Sequence, residues 1–426
     1  MIKTVGEDRL QVASEIIKTS RLCRFCRADL RHTFVNLGMS PLCESFLRAD
    51  QLNDMEPFYP LHVFVCGKCF LVQLEEFVSP DNIFSEYAYF SSYSDSWLDH
   101  ARRYTESVRD RFDLNGKSLV IELASNDGYL LQYFVKQDIP VLGIEPAVNV
   151  AKVAEEKRVP TLVRFFGERL AQELVGEGKR ADLIIGNNVL AQVPDLCDFV
   201  AGIKLLLKPD GVLTLEFPHL LRLMQENQFD TIYHEHFSYF SFITTQQILE
   251  RYGLRIFDVE ELLTHGGSLR VYGCHADDSR PTAVRVPELR EKEEVAGLDR
   301  IETYASFAER VKHTKRRLLE CLIEAKQAKM SIAGYGAPGK GNTLLNYCGI
   351  GTDFIDYTVD RNPFKHGRFT PGTHIPIFVP EKIFETRPDY VLILPWNLKT
   401  EIMQQMARIR EWGGKFIVPI PEATIC

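Results

Sequence analysis

No uninterrupted apolar stretch in this chain approaches the roughly 20 residues that a membrane-spanning helix needs, and the opening MIKTVGEDRLQV carries no apolar core of a secretory leader. A surplus of positive charge is missing as well. Fifty lysines and arginines stand against 58 aspartates and glutamates, a formal net charge of −8. That balance argues against broad binding to nucleic acid or to anionic membranes. These absences set the expectation of a cytoplasmic chain, a monomer, with neither nucleic acid nor membrane as a partner. Cysteine is not scarce. In a reducing compartment the ten cysteines should be thiols or metal ligands rather than disulfides. At 426 residues, 45% apolar and 25% charged, the chain has the length of two to four globular domains.

Two cysteine pairs stand out, Cys23-Arg24-Phe25-Cys26 and Cys66-Gly67-Lys68-Cys69. A CxxC turn places two thiolates on one side of a zinc ion, and two such turns close a tetrahedral shell. Four thiolates leave no open position, so Zn2+ at these residues is expected to be structural. Buried free cysteines or a redox CxxC explain a doubled pair less well. Cys43, Cys197, Cys274, Cys321, Cys348 and Cys426 show no ligand spacing and read as small buried hydrophobes. Basic and aromatic residues scarcely alternate between Arg21 and Phe77. A zinc-binding domain over 1–78 is therefore expected to be a scaffold.

From Lys117 a strand–turn–helix pattern repeats, which implies an open, doubly wound α/β sheet with its ligand beyond the carboxyl ends of the strands. SLVIEL (118–123) reads as a buried strand, and ASNDGYLLQYF as a tight turn and helix. VLGIEPA (141–147) reads as a second strand, and ADLIIGNNVLAQV (181–193) as another with its exit loop. LLLKPDGVLTLEF (205–217) reads as a helix, a Pro-Asp-Gly turn and a strand. The first turn lacks the G-x-G-x-x-G that lets a pyrophosphate approach, and holds Glu122, Ala124, Asn126, Asp127 and Gly128 instead. Anionic side chains repel a pyrophosphate but suit the ammonium and sulfonium of S-adenosylmethionine. Glu145, closing the second strand, can accept from both ribose hydroxyls. Ala124 stands where glycine is common and softens the fingerprint. With Asn187 and Asn188 of the exit loop, these are the cofactor candidates of a methyltransferase domain expected over 79–280. A doubly wound domain without this ligand is the alternative.

Residues 281–329 are highly charged with helical spacing of apolar positions, and read as one or two connecting helices with a solvated face. Beyond 330, MSIAGYGAPGKGNTLLNY runs from a strand through Gly334-x-Gly336-x-x-Gly339 into a helix, and Asp360 ends a probable second strand. The spacing meets the dinucleotide fingerprint. A nucleoside triphosphatase is disfavoured, because Gly341 follows Lys340 where magnesium would need Ser or Thr. Two readings stay open for this α/β unit (330–426). Gly336, the loop amides and Lys340 hold a diphosphate, or the unit binds NAD and the chain is a dehydrogenase.

TIYHEHFSYFS (231–241) holds two histidines around a glutamate, with a tyrosine before them. A metal site, an acid–base centre and a polar core are all compatible with it. In an extended segment Tyr233 and Glu235 would face away from His234 and His236, so a loop is expected. FSEYAYFSSYSDSW (84–97) interleaves aromatics with serines. It reads either as a loop over a pocket, with Tyr87, Ser91 and Ser92 as contacts, or as a packing belt.

Together the four-cysteine front, ELASNDG, GIEP, NNVLAQV, EFPH, YHEHF, HGGSLRVY, GYGAPGKGN, VDRNPFKHG, PGTHIPI and ILPWN resemble the bacterial nucleotide-sugar C-methyltransferases, from about Cys23 to Pro419. The resemblance implies a zinc domain, a class I methyltransferase domain and a C-terminal Rossmann-like α/β domain, with the sugar between the last two. It implies methylation at C3 of a nucleoside-diphosphate 4-keto-6-deoxyhexose. Sugar carbons become nucleophilic only beside a ketone, where a base can leave an enolate, so the site needs a base and an oxyanion donor. Family members carry Tyr-x-Glu-His here, which maps to Tyr233, Glu235 and His236, with His236 as the base. His234 falls on the variable position and ranks as a substrate contact. The resemblance favours the diphosphate reading of the last domain and adds Asn342 and Asn397 to Gly336 and Lys340. Gln192 stands where some relatives have a histidine, so its role there is limited to hydrogen bonding. An NAD-dependent sugar oxidoreductase and a sugar O- or N-methyltransferase are the alternatives.

Overall fold

The structure is a computed structural model that describes residues 21–79 and 90–426; Tyr87 lies outside them. Three sheets carry the chain. The first is antiparallel and holds β1 (His32–Ser40), β2 (Tyr59–Val65) and β3 (Val72–Leu74). Its fourth strand arrives from far along the chain: β9 (Ser238–Tyr239) pairs antiparallel with β3, Gln73 opposite Ser238. Two matching knuckles sit at one end of this sheet. In each, the first cysteine's N–H donates across the turn, Cys23 to the Ala28 carbonyl and Cys66 to the Leu71 carbonyl (2.8 and 3.0 Å). The residue after each second cysteine, Arg27 and Phe70, takes a left-handed φ near +60°.

The second sheet is made of β4 (Val120–Leu123), β5 (Val141–Ile144), β6 (Thr161–Leu162), β7 (Ala181–Asn187), β8 (Leu207–Pro218), β10 (Leu254–Leu262) and β11 (Ser268–His275), in the order β10-β11-β8-β7-β4-β5-β6. β4 to β8 run parallel, and β11 lies antiparallel between β8 and β10. β4 and β5 are buried along their whole length, as central parallel strands are. β4 has β5 on one side and β7 on the other, so the sheet switches direction at its carboxyl end, where such sheets bind ligands. Pro209, Asp210 and Gly211, expected to turn, are instead part of β8. The shift between the pairs Ala181–Leu207 and Leu183–Val212 absorbs them as a bulge.

The third sheet is parallel except at its last strand. It holds β12 (Ile332–Tyr335), β13 (Thr358–Val359), β14 (Ile377–Phe378), β15 (Tyr390–Ile393), β16 (Lys415–Val418) and β17 (Thr424–Ile425), ordered β14-β13-β12-β15-β16-β17. Three helices, Arg285–Val295, Ile301–Ala305 and Phe307–Gln327, lead into it. The longest packs on the first sheet, where Phe307 stacks on Phe34 at 4.5 Å. One apolar core thus runs from the zinc-type sheet into the third sheet, while the knuckle cysteines pack with the second sheet. The charged connector is not solvated throughout. Glu293 is fully buried, accepts from the Phe242 and Ile243 amides, and meets His219 Nε2 at 2.6 Å. No helix among the described residues is long and apolar enough to cross a membrane.

Candidate active site

A cavity of about 530 Å³ opens at the carboxyl ends of β4, β5 and β7, between the second and third sheets. Its wall at the strand ends is built from unusual backbone. Ala124, Asn126 and Gly128 have φ of +56°, +49° and +71°, and Asn188 has +55°. These alternating left-handed residues fold the turn back over β4. A Cβ on Gly128 would lie 3.2 Å from Ala154 Cα, so glycine there lets the following helix approach. Ala124 does the same without glycine's freedom, at a cost of about 1–2 kcal/mol.

The turn is held by Glu145, whose carboxylate accepts from the Asn126 and Ala147 amides at 2.9 Å each. Burial raises the Glu145 carboxyl. Glu122 is wholly buried and raised well above the usual carboxylate range by that burial, with Glu145 and Asp127 adding to the shift. Ala124, Asn126, Glu145, Asn187 and Asn188 line the cavity, while Glu122, Asp127 and Gly128 lie behind its surface. Asp127 Oδ2 accepts from the Ser92 amide (3.3 Å) and meets Lys157 Nζ at 3.1 Å, while Oδ1 is buried without a hydrogen-bond partner. Ser91 donates its N–H to Asn126 Oδ1 at 3.0 Å and lines the cavity; Ser92 does not. The Asn187 side chain at the tip of β7 is buried with neither amide atom partnered. An unpaired buried amide is costly unless a ligand completes it. Acceptors at the β5 end and an orphaned amide at the β7 end fit the ribose and amino-acid portions of S-adenosylmethionine.

The Tyr233–His236 segment is a turn, closed by the His236 amide donating to the Tyr233 carbonyl at 3.0 Å. It brings Tyr233, Glu235 and His236 into the same cavity. His234 is turned out of it, edge-on to Tyr59 with Nε2 3.2 Å from the Pro60 carbonyl. The His236 ring leans on Tyr233 at 4.3 Å. Burial, with His265 and Lys340 nearby, pushes His236 down to about 4, so its imidazole is neutral. Burial raises the Tyr233 phenol, keeping it protonated and a donor. On both flanks the turn is fixed by backbone: Phe237 donates to the Ala191 carbonyl (2.7 Å) and accepts from the Leu74 amide (3.0 Å). Gln73, opposite Ser238 in β3, also donates to Cys23 Sγ at 3.2 Å. The cysteine knuckles and the histidine turn are therefore two hydrogen-bonded steps apart.

From the third sheet come Pro338, Gly339, Lys340 and Lys365, and from the first sheet's long loop Cys43 and Glu44. Lys340 lies over the Trp396 ring at 4.8 Å and donates to Asn397 Oδ1 at 2.9 Å. Asn397 therefore acts on the cavity through the lysine. Asn342 donates to the Cys43 carbonyl (2.6 Å), tying the Gly-rich helix to the Cys43 loop. Gly336 lies off the cavity; a Cβ there would sit 2.5 Å from Pro395. Asp360 stays off the cavity, its carboxylate accepting from the Ala337 and Asn362 amides at 2.7 and 2.8 Å. Several lining residues carried no nomination in the sequence: Glu44, Lys365, Thr231 and His265. The last lies in the HGG turn and is the one with a local signal, a histidine before two glycines.

Cys23, Cys26, Cys66 and Cys69 place their sulfurs within 4.8 Å of one another, with Cys23–Cys69 at 3.6 Å and Cys26–Cys66 at 3.4 Å. A tetrahedron of roughly 2.3 Å metal–sulfur bonds has edges of about 3.8 Å. The four thiols fit zinc, and a closed sulfur shell gives it a structural role.

The chain matches three domain families: a zinc binding domain over 23–84, a methyltransferase domain over 97–259, and a C-methyltransferase C-terminal domain over 263–421. It is 35% identical to C-methyltransferase NovU of Streptomyces niveus over 411 residues, 96% of this chain and 98% of that one. Among solved structures it is similar to magnesium protoporphyrin IX methyltransferase of Synechocystis with bound SAH. The match covers 42% of this chain and 82% of that one at 16% identity and TM-score 0.34. It is also similar to an S-adenosylmethionine-dependent methyltransferase of Clostridium acetobutylicum, over 42% and 92% of the chains at 12% identity and TM-score 0.34.

Proposed function

The chain belongs to the C-methyltransferase family, and from that premise we propose that it methylates C3 of a 4-keto-6-deoxyhexose carried on a nucleoside diphosphate, through an enolate. It is an S-adenosylmethionine-dependent enzyme with a structural zinc domain. Bound S-adenosylmethionine supplies an electrophilic methyl group on a sulfonium. Glu145, Asn126 and Asn187 would hold it at the strand ends.

The chain's own residues do the rest. Carbon is a poor nucleophile until the proton beside a ketone is removed, and His236 is the neutral base at the cavity wall. As the C3–H bond breaks, the proton passes to the imidazole and the electron pair spreads onto the C4 oxygen. Tyr233, a protonated phenol beside His236, donates to that oxygen, and Glu235 lines the same cavity, where it accepts from the Cys43 thiol at 3.6 Å. Lys340, Lys365 and the amides at the start of the helix Gly339–Cys348 form the diphosphate handle. The cavity sets both reactants side by side, which converts an encounter into an internal reaction.

The observation that carries this reading is the turn at 233–236, which puts base and phenol in one cavity with the cofactor strand ends. An NAD-dependent oxidoreductase is disfavoured because Asp360, the residue that would grip a ribose, does not line the cavity. The test is a substrate panel with S-adenosylmethionine: TDP- and UDP-linked 4-keto-6-deoxyglucose against the same sugars reduced at C4. Methylation of the ketones alone supports the reading, and equal methylation of the reduced sugars contradicts it.

A further inference from the structure

The HGG turn at 264–267 is built with unusual care for a hairpin between β10 and β11. His265 has φ +54°, followed by Gly266 at +91° and Gly267 at +117°. The two glycines take positive φ without steric cost, but the histidine is strained there, and such strain persists only where the surroundings impose it. Here they do. Thr264 donates to Glu216 Oε1 (3.1 Å), Gln228 Nε2 donates to the Gly266 carbonyl (2.7 Å), and the His219 amide donates to the Gly267 carbonyl (3.0 Å). A Cβ on Gly266 would lie 2.9 Å from both Gln228 and Trp396. Glu216 is itself buried and clamped by His100 and Arg270 at 3.0 and 2.6 Å. Burial alone would raise that carboxyl, but those partners hold it at about 2, a fixed anion under the turn.

All of this aims one imidazole into the cavity. His265 lines it together with His236, Asn188 and Lys340, and Trp97 meets its ring edge-on at 5.0 Å. Asn188 Nδ2 lies 3.2 Å from His265 Nε2. An amide nitrogen only donates, so Nε2 accepts and the ring proton sits on Nδ1. Among the described residues nothing accepts from Nδ1. Burial and nearby Lys340 push the ring down to about 4, which leaves it neutral and a donor rather than a cation. With its Nε2 lone pair engaged by Asn188, this imidazole does not compete with His236 for the substrate's proton.

We propose that His265 is a second hydrogen-bond donor to the carbonyl oxygen that becomes the enolate oxyanion, held by the HGG turn, and paired with Tyr233. The proposal rests on the enolate reading above. No proton moves from His265: the C3 proton goes to His236, the charge goes to the oxygen, and Nδ1–H stabilises it. Asn188 sets the tautomer, and Glu216 positions the turn through Thr264.

The test uses the full zinc-loaded chain, S-adenosylhomocysteine and TDP-4-keto-6-deoxyglucose in deuterated water, with loss of the C3 proton followed by NMR. Wild-type exchange is expected, since deprotonation needs no methyl donor. His265→Asn and His265→Gly both tolerate the left-handed backbone. Each is expected to slow exchange by about 10²–10³-fold, the usual effect of removing one oxyanion donor. Melting temperature and S-adenosylhomocysteine affinity should stay near the wild-type values. Added imidazole is expected to rescue His265→Gly, an effect a structural role would not produce. Exchange within about threefold of wild type in either variant overturns the proposal, and so does slowing without rescue that tracks lost stability. Absence of exchange in the wild-type protein sinks the enolate reading itself, and the donor role with it.

Discussion

Lowering the pH should destabilise the protein well before it stops His236 from deprotonating the substrate, and the structure sets the size of the effect. The imidazole titrates at about 4 in the folded chain against 6.5 for an ordinary histidine, mainly because it is buried. A depressed histidine pKa means that the unfolded chain binds a proton that the folded chain excludes. Stability is therefore full above 6.5, falls as the pH drops, and has lost its whole increment by about 4. The interval of about 2.5 units corresponds to ~3 kcal/mol at the acid end. Between about pH 7.5 and about pH 5 the loss due to this one ring is ~2 kcal/mol. Urea unfolding at the two pH values, followed by tryptophan fluorescence, reads it directly. His236→Asn cannot titrate and should lose ~2 kcal/mol less than wild type over the same interval. Equal losses in the two proteins would refute the buried neutral imidazole. In the same window kcat/KM should stay flat down to about pH 5, because the base is already deprotonated. A half-maximum near 6.5 would refute it independently.

Stripping zinc with a chelator should abolish methyl transfer, because Gln73 and β9 link the knuckles to the histidine turn; an activity assay before and after zinc is restored checks it. Ala124→Gly should stabilise the chain by about 0.5–1 kcal/mol, since relief of the φ +56° strain exceeds the added entropy of the unfolded chain; urea unfolding measures it. Lys340→Met should raise KM for the nucleotide sugar by at least about tenfold with little change in S-adenosylhomocysteine binding, as one charge-assisted phosphate contact is lost. Asn187→Leu should weaken S-adenosylhomocysteine binding, measured by calorimetry, because its two orphaned amide atoms sit at the cofactor strand ends.

Much of the architecture was legible because it depends on local patterns. The CxxC pairs and the buried runs VIEL and VLGI announce knuckles and parallel strands by spacing and by apolar continuity. The loop at 233–236 followed from the alternation of strand faces, which no straight strand could reconcile with one pocket. What escaped depends on contacts made at long range. β9 is two residues long and has no periodicity of its own, so its partner in the first sheet could not be read. Glu293 looks like its neighbours in a charged helix, yet two amides and His219 hold it in the core. Lys-Pro-Asp-Gly has turn chemistry, but neighbouring β7 absorbs it as a bulge. His265 carries only the signal of two following glycines, and its aim into the cavity comes from Glu216, Gln228 and Asn188. Asp127, expected at the cofactor, is claimed by Lys157 and Ser92, a pairing invisible without the fold.

The destination of the methyl group tests the account most directly. With S-adenosylmethionine labelled by 13C at the methyl and TDP-4-keto-6-deoxyglucose as acceptor, the product's NMR spectrum shows what the labelled carbon is bonded to. The account predicts a methyl group on a quaternary C3, with carbon–carbon coupling when the sugar is also labelled. A methoxy signal, or labelled donor recovered intact beside a sugar changed only by oxidation or reduction, would contradict it.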